Sequence, residues 1–218
     1  MRYIICLIGA VFAMGMRGIA QDTGNGVLLS HYVFDQFQKG KVYFKSGSTQ
    51  EVSLNYNTLT AEMVYEDGGK YLAMGEPEKV DSVVIAGRVF IPGDKKFYEL
   101  LCRCVSPLLA EYSSSIKEEG SNLGYGMTSN TAAATTLRSL IQSGGAYSLK
   151  LPDGFQIIPK REHWILSGGQ YRPANNTRQL NNIYTAKKEF ITHWVKDHHT
   201  DFSSNDDLVA LIQAIDKN

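Results

Sequence analysis

Residues 40–56 read Gly-Lys-Val-Tyr-Phe-Lys-Ser-Gly-Ser-Thr-Gln-Glu-Val-Ser-Leu-Asn-Tyr, and this stretch decides the fold class. Val42 and Phe44 alternate with Lys41, Tyr43 and Lys45, the period of two that separates an apolar from a polar face of a strand. Ser46-Gly47-Ser48 stops the pattern, and Val52, Leu54 and Tyr56 resume it. The reading is two β-strands joined by a turn.

Working downstream, Met63 and Tyr65 continue the alternation, Asp67-Gly68-Gly69 supplies a turn that tolerates positive φ, and Tyr71 to Met74 returns; this is a hairpin signature. Val80 to Ile91 is β-branched on both faces and is bounded by Pro92-Gly93-Asp94, which predicts one central strand covered on both sides. Phe97 to Val105 follows, with Pro107 limiting the ladder. From residue 33 to about 112 the short, turn-sized gaps favour an antiparallel meander over βαβ units.

Residues 113–145 change character. Ser, Thr, Asn, Gly and Ala dominate, and Gly120, Gly124 and Gly126 break any period, so the stretch reads as a long surface loop or mobile insertion. A loop of this length in a compact domain is usually functional or disordered. Ala146 to Leu151, Phe155 to Ile158 and His163 to Leu166 then read as three short strands separated by Pro152-Asp153-Gly154 and Pro159-Lys160. Thr185 to His198 places Phe190, Ile191, Trp194, Val195 and His198 at helical spacing. Ser204 with Asp207 resembles a capping box ahead of Leu208, Leu211, Ile212 and Ile215. The predicted fold is α+β: an antiparallel β meander, as a sheet or open barrel, with a C-terminal helical hairpin packed on it.

Upstream, Arg2 precedes an uncharged apolar run from Tyr3 to Met16, and Gly18-Ile19-Ala20 offers small residues at alternate positions. This is a secretory signal, predicting cleavage after Ala20 and a periplasmic or secreted protein. The run is shorter than the about 20 residues of a membrane-spanning helix, and residues 21–218 form one domain. Removing residues 1–20 takes away Arg2 and Arg17 and no acid, leaving 20 Lys and Arg against 22 Asp and Glu, a formal net charge of −2. Balanced, scattered charge argues against nucleic acid or an anionic membrane as partner.

Cys102 and Cys104 are the cysteines left after residue 20. At i and i+2 of an extended strand their Cα atoms would lie ~6.5 to 7 Å apart, at the upper edge of disulfide geometry. They are read as two unlinked thiols on one strand face, with a bridge or a metal or redox role as the alternatives.

Gly40-Lys41-Val42, Lys45-x-Gly47, Leu54-Asn55-Tyr56-Asn57, Glu62-Met63, Val80-Asp81, Phe90 and Phe97 to Leu101 occur in that order, followed by Tyr125-Gly126 and the helical region Ile191 to Ile215 with its Asp201-Phe202 link. In this order the chain resembles a functionally uncharacterised group of secreted proteins of Bacteroidetes, over most of its length after residue 20. The resemblance implies a Gram-negative envelope location and a shared fold, and it carries no catalytic residues.

Candidate chemistry is sparse. His193, His198 and His199 lie near Asp197 and Asp201, but His193 and His198 are about 140° apart around a helix, so no metal site is assigned. His31 and His163 are isolated. Gly-x-Ser-x-Gly is absent, the Ser-Gly-Gly stretches at 143–145 and 167–169 read as turns, and the paired acids Glu118-Glu119 and Asp206-Asp207 are neighbours in sequence only. No catalytic residue and no cofactor is assigned. Tyr43, Tyr56, Tyr65 and Tyr71 belong to an aromatic-rich region before residue 75 and are the ligand-binding candidates, since tyrosines on a sheet surface stack on sugar rings or on a partner protein; cross-strand pairing is the competing reading. The expected function is binding, to another envelope protein or alternatively to a small ligand or glycan. A hydrolase with a site assembled from scattered residues is a third reading.

Overall fold

The computed structural model describes residues 29–118, 142–143, 146–150 and 155–218. The signal segment 1–20 and most of the Ser/Gly/Thr-rich stretch lie outside the described residues. Among those described, no helix is long and apolar enough to cross a membrane.

Among the described residues twelve strands form one sheet: β1 (Gln38–Phe44), β2 (Thr49–Asn57), β3 (Glu62–Asp67), β4 (Lys70–Ala73), β5 (Val80–Ile85), β6 (Arg88–Gly93), β7 (Lys96–Cys102), β8 (Leu108–Glu118), β9 (Gln142–Ser143), β10 (Ala146–Tyr147), β11 (Phe155–Ser167) and β12 (Gln170–Pro173). Their order is β12-β11-β8-β7-β6-β5-β1-β2-β3-β4-β10-β9, and every pairing is antiparallel. The predicted α+β arrangement is therefore present, with one long-range step added to the meander. After β4 the chain returns through a 3₁₀ turn at Pro77–Lys79, and β5 pairs with β1, so two meanders run outward from that central pair.

Val80 to Ile91 is two strands, not one. Ala86 and Gly87 form the turn between β5 and β6, with φ of 49° and 79°. Asp94-Lys95 and the paired glycines at 68–69 and 168–169 likewise carry positive φ at both turn positions, the hand that matches strand twist. An alanine where such a turn favours Gly, Asn or Asp hides the reversal from a sequence reading. Residues 113–118 also differ from the expected loop: they extend β8 to Glu118, in register with Phe155. The two strands expected on either side of Pro159 are one, β11. Over residues 155–163 it pairs with β8 and has no β12 partner, and such an edge tolerates a proline that cannot donate to a neighbour.

The sheet curls. Near the end of β2, the Thr58 carbonyl accepts from the Ser114 N–H of β8 at 2.9 Å, and their hydroxyls lie 2.7 Å apart. Inside the curl, Val42, Leu54, Tyr56, Met63, Val83, Ile85, Phe90 and Phe97 form the first core; the period-two pattern of β1 and β2 points into it. Gly40 sits at a crowded point of the β1–β5 pairing. A Cβ there would lie 2.7 Å from the Val84 carbonyl oxygen and about 3 Å from Leu54 and Ile85.

The C-terminal region holds three α-helices: α1 (Thr177–Ile183), α2 (Lys188–Asp197) and α3 (Asn205–Lys217). α1 is additional to the predicted pair. It is capped by Asn176, whose side chain accepts from the Gln179 N–H at 2.9 Å, and it buries Leu180. Its seven residues hold too few apolar positions to register as a helical period. α3 begins at Ser204 as predicted, with the Ser204 hydroxyl accepting from the Asp207 N–H; the Asp207 carboxylate reaches the Asp201 N–H at 2.9 Å. Leu208, Leu211, Ile212 and Ile215 face a second core with Ile191 of α2 and with Leu108 and Ile165 of the sheet. Each such burial is worth about 1.5–3 kcal/mol relative to exposure.

Cys102 and Cys104 are joined in a disulfide, with Cα atoms 5.2 Å apart. The reading of two unlinked thiols is corrected because the backbone is not extended here. The β7–β8 register shifts between Leu100 and Cys102, the strand stops at Cys102, and the chain bends.

Candidate functional site

Arg88 and Glu99 stand out as opposite charges within apolar strands. Both side chains point to the inner face, because Arg88 pairs across the sheet with Ile85 and Glu99 with Phe90 and Ala110. Arg88 grips Glu99 with two bonds, Nε to Oε1 at 2.7 Å and Nη2 to Oε2 at 2.8 Å. The Tyr112 hydroxyl donates to Glu99 Oε2 at 2.6 Å. Burial works against the arginine charge, and the Glu99 bonds overcome it, holding the guanidinium above its ordinary pKa. Tyr112 is also pushed up, first by burial and then by the glutamate it serves. The guanidinium lies 5.0–5.5 Å from the ring centres of Phe34, Phe90 and Tyr112, which adds cation–π attraction.

The network continues to the helices. Asn205, the first residue of α3, donates to the Tyr112 hydroxyl at 3.4 Å, and its Oδ1 lies 2.9 Å from His163 Nε2. With that nitrogen protonated, donors run in one direction from His163 through Asn205 and Tyr112 to Glu99. His163 is 1% exposed, and burial lowers its pKa, which favours the neutral imidazole. The chain of bonds ties β6, β7, β8 and β11 to the start of α3.

This network lies at one wall of an open cleft of about 620 Å³ where the curled sheet meets α3. Arg88, Tyr112 and Asn205 line it together with Arg161 and with Ser30, Thr58, Ser113, Ser114, Lys160 and Ser203, of which Lys160 and Ser113 pair with each other on the outward face of β11 and β8. Lys160 is paired with Glu162 at 2.9 Å. Arg161 donates to the neutral carbonyl of Ser203 at 2.7 Å and makes no salt bridge among the described residues; Asp201 is the acid that feels it at longer range. The site therefore offers cationic N–H donors and hydroxyls on a surface that is open to water. The mouth of a curled sheet is a recurrent place for a small-molecule site.

The tyrosines singled out from sequence do not converge. Tyr43 is 37% exposed on the opposite face of β1, beneath the Lys41 ammonium. Tyr56 is fully buried in the first core near Phe90, so its place on a ligand-facing surface is corrected: the period-two pattern carries it inward with Leu54. Tyr65 packs against the same core, and Tyr71 against Phe37 at 4.7 Å on another cluster. None of the four lines the cleft. The aromatics that do are Tyr32 and Tyr112. A signal for the site was present in the sequence as Arg88 and Glu99, charges inside strands otherwise rich in Val, Ile, Phe and Leu.

His193 of α2 and His198 at its C-terminal cap are engaged by that helix. His193 Nδ1 and His198 Nδ1 donate to the carbonyls of Glu189 and Trp194, at 2.8 and 3.0 Å, and His198 stacks on Trp194 at 3.8 Å. Among the described residues no group of three or more His, Cys, Asp or Glu side chains is placed to hold a metal ion. Compared with family models, with curated proteins and with solved structures, the chain matches none.

Proposed function

We propose that this chain is an exported envelope protein that acts by binding, and that its ligand is a small acidic, hydroxyl-bearing molecule such as a glycan ending in a uronic acid. The observation that carries this reading is the placement of Arg88 and Arg161 on the inner sheet face at one open cleft that Thr58, Ser114 and Ser203 also line. A guanidinium recognises a carboxylate through paired N–H donors, and the hydroxyls of Thr58, Ser114 and Ser203, already bonded within the protein, keep lone pairs that accept from ligand hydroxyls. The preorganised Glu99 and Tyr112 keep Arg88 in place, which lowers the ordering cost of binding. Export rests on the N-terminal segment and on the resemblance to secreted proteins of Bacteroidetes.

The test is thermal unfolding with matched ligands, for example galacturonate against galactose and glucuronate against glucose. A ligand that binds only the native state raises apparent stability. The acidic members should raise the melting temperature, the neutral ones should not, and Arg161→Ala should abolish the difference without altering the melt of the free protein. Equal response to both members, or none to either, would overturn the reading. An acidic side chain of another envelope protein presents the same carboxylate. Capture of such a protein by the wild type, lost in Arg161→Ala and accompanied by no sugar response, would assign the cleft to a protein partner instead.

A further inference from the structure

We propose that the Cys102–Cys104 bridge is an exchange-active disulfide that accepts two electrons from a dithiol partner protein. The first argument is topological. A disulfide contributes most when it closes a long loop in the unfolded chain, and this one spans Arg103 alone. It therefore does little to hold the fold.

The surrounding backbone is pinned without it. Cys102 is in register with Leu108, the Val105 N–H donates to the Asp216 carboxylate of α3 at 2.8 Å, and the Leu166 N–H donates to the Pro107 carbonyl at 3.0 Å. Opening the bridge releases no distant segment.

The second argument is chemical. Both cysteines are half-buried at the edge of the second core, while Arg103 between them is exposed. Thiol–disulfide exchange requires access to sulfur and is favoured when the departing thiolate is stabilised by a nearby cation; Arg103, adjacent in sequence to both cysteines, is the nearest charge along the chain. Val105, next to the bridge, is 86% exposed and offers an apolar contact to an approaching partner. The chain has no other cysteine after residue 20, so exchange after removal of that segment is intermolecular.

The balance is complete with a partner dithiol. One partner thiolate attacks a sulfur of the bridge, a mixed disulfide forms, and the other sulfur of this chain leaves as a thiolate that takes up a proton. The second partner thiol, as its thiolate, then attacks the mixed disulfide. The partner is released with its own disulfide, and this chain carries two thiols; the partner has lost two electrons and two protons.

The test uses the full oxidised chain with glutathione buffers as the probe, counting free thiols by alkylation and mass while circular dichroism follows the fold. Millimolar reduced glutathione should open the bridge in the folded state, and oxidised glutathione should restore it. The melting temperature of the reduced form should stay within about 4 °C of the oxidised form. Cys104→Ser carrying glutathione on Cys102 as a mixed disulfide should release that glutathione to the thiol of a Cys-x-x-Ser protein and trap a stable mixed disulfide with it, and Arg103→Glu should slow exchange several-fold. A bridge that resists glutathione until the protein unfolds would overturn the proposal. So would a Cys102→Ser, Cys104→Ser double variant that cannot fold, since the bridge would then be structural.

Discussion

Arg88 and Glu99 are joined across β6 and β7 by two parallel bonds of 2.7 and 2.8 Å, with the glutamate side chain 8% exposed and the arginine 31%. The pair lies between the first core and the cleft. The same contact therefore bears on stability and on the placement of a binding group.

Glu99→Gln should cost about 2–4 kcal/mol. Removing one partner strands the arginine charge in a largely dry site, which costs 3–5 kcal/mol when both groups are fully buried, and the partial exposure of Arg88 reduces that figure. Urea denaturation of both proteins checks the value. A loss below about 0.5 kcal/mol would show that solvent already screens the pair.

His31 makes stability fall with acid. It is 1% exposed, and burial lowers its pKa from 6.5 to about 4. Between those values the unfolded chain takes up a proton that the folded chain refuses. Its contribution is thus present above pH 6.5 and declines as pH falls toward 4, by up to about 1.4 kcal/mol per unit, for a total of order 3 kcal/mol. His163 shifts in the same direction. Denaturation at several pH values should show a flatter acid limb for His31→Gln than for wild type, and an NMR titration should find the His31 ring neutral at pH 5.

Gly40→Ala should destabilise by about 1–3 kcal/mol, the usual cost of overpacking. The new methyl would meet backbone, the Val84 carbonyl oxygen at 2.7 Å, which moves less readily than a side-chain end. A melting curve for the variant within a degree of wild type would mean that β1 and β5 separate at no cost.

Ala86→Asn should stabilise by about 0.5–1 kcal/mol. Ala86 holds φ at 49° ahead of Gly87, a conformation unfavourable for alanine and well suited to asparagine in this turn. Chemical denaturation reads the gain as a higher midpoint with an unchanged slope.

Ser204→Ala should cost about 1 kcal/mol through the lost cap on α3. Because Asn205 follows at once and joins Tyr112 to His163, fraying there should also weaken ligand response at the cleft. Wild-type binding in a variant with the expected stability loss would separate the helix start from the site.

Strand alternation at Val42, Phe44, Val52, Leu54 and Tyr56, and the helical spacing from Leu208 to Ile215, were legible because each is set by a local period that one buried face imposes. The Ser204 cap was legible for the same reason, as its partner Asp207 is three residues away. The reversal at Ala86-Gly87 was not, because alanine does not advertise positive φ. The single strand through Pro159 was not either, because an edge position is a property of the whole sheet.

The sequence by itself therefore determined the type of most elements, though not of α1 or of residues 113–118, together with the inward face of the first strands and the antiparallel class, all of which follow from side-chain direction over a few residues. Only the tertiary structure decided that β5 returns to β1, that Thr58 meets Ser114, and that Arg88, Arg161 and Asn205 share one cleft. Those residues lie far apart in the chain. They meet because the sheet twists and curls, and no local period encodes which distant strands that curl will bring together.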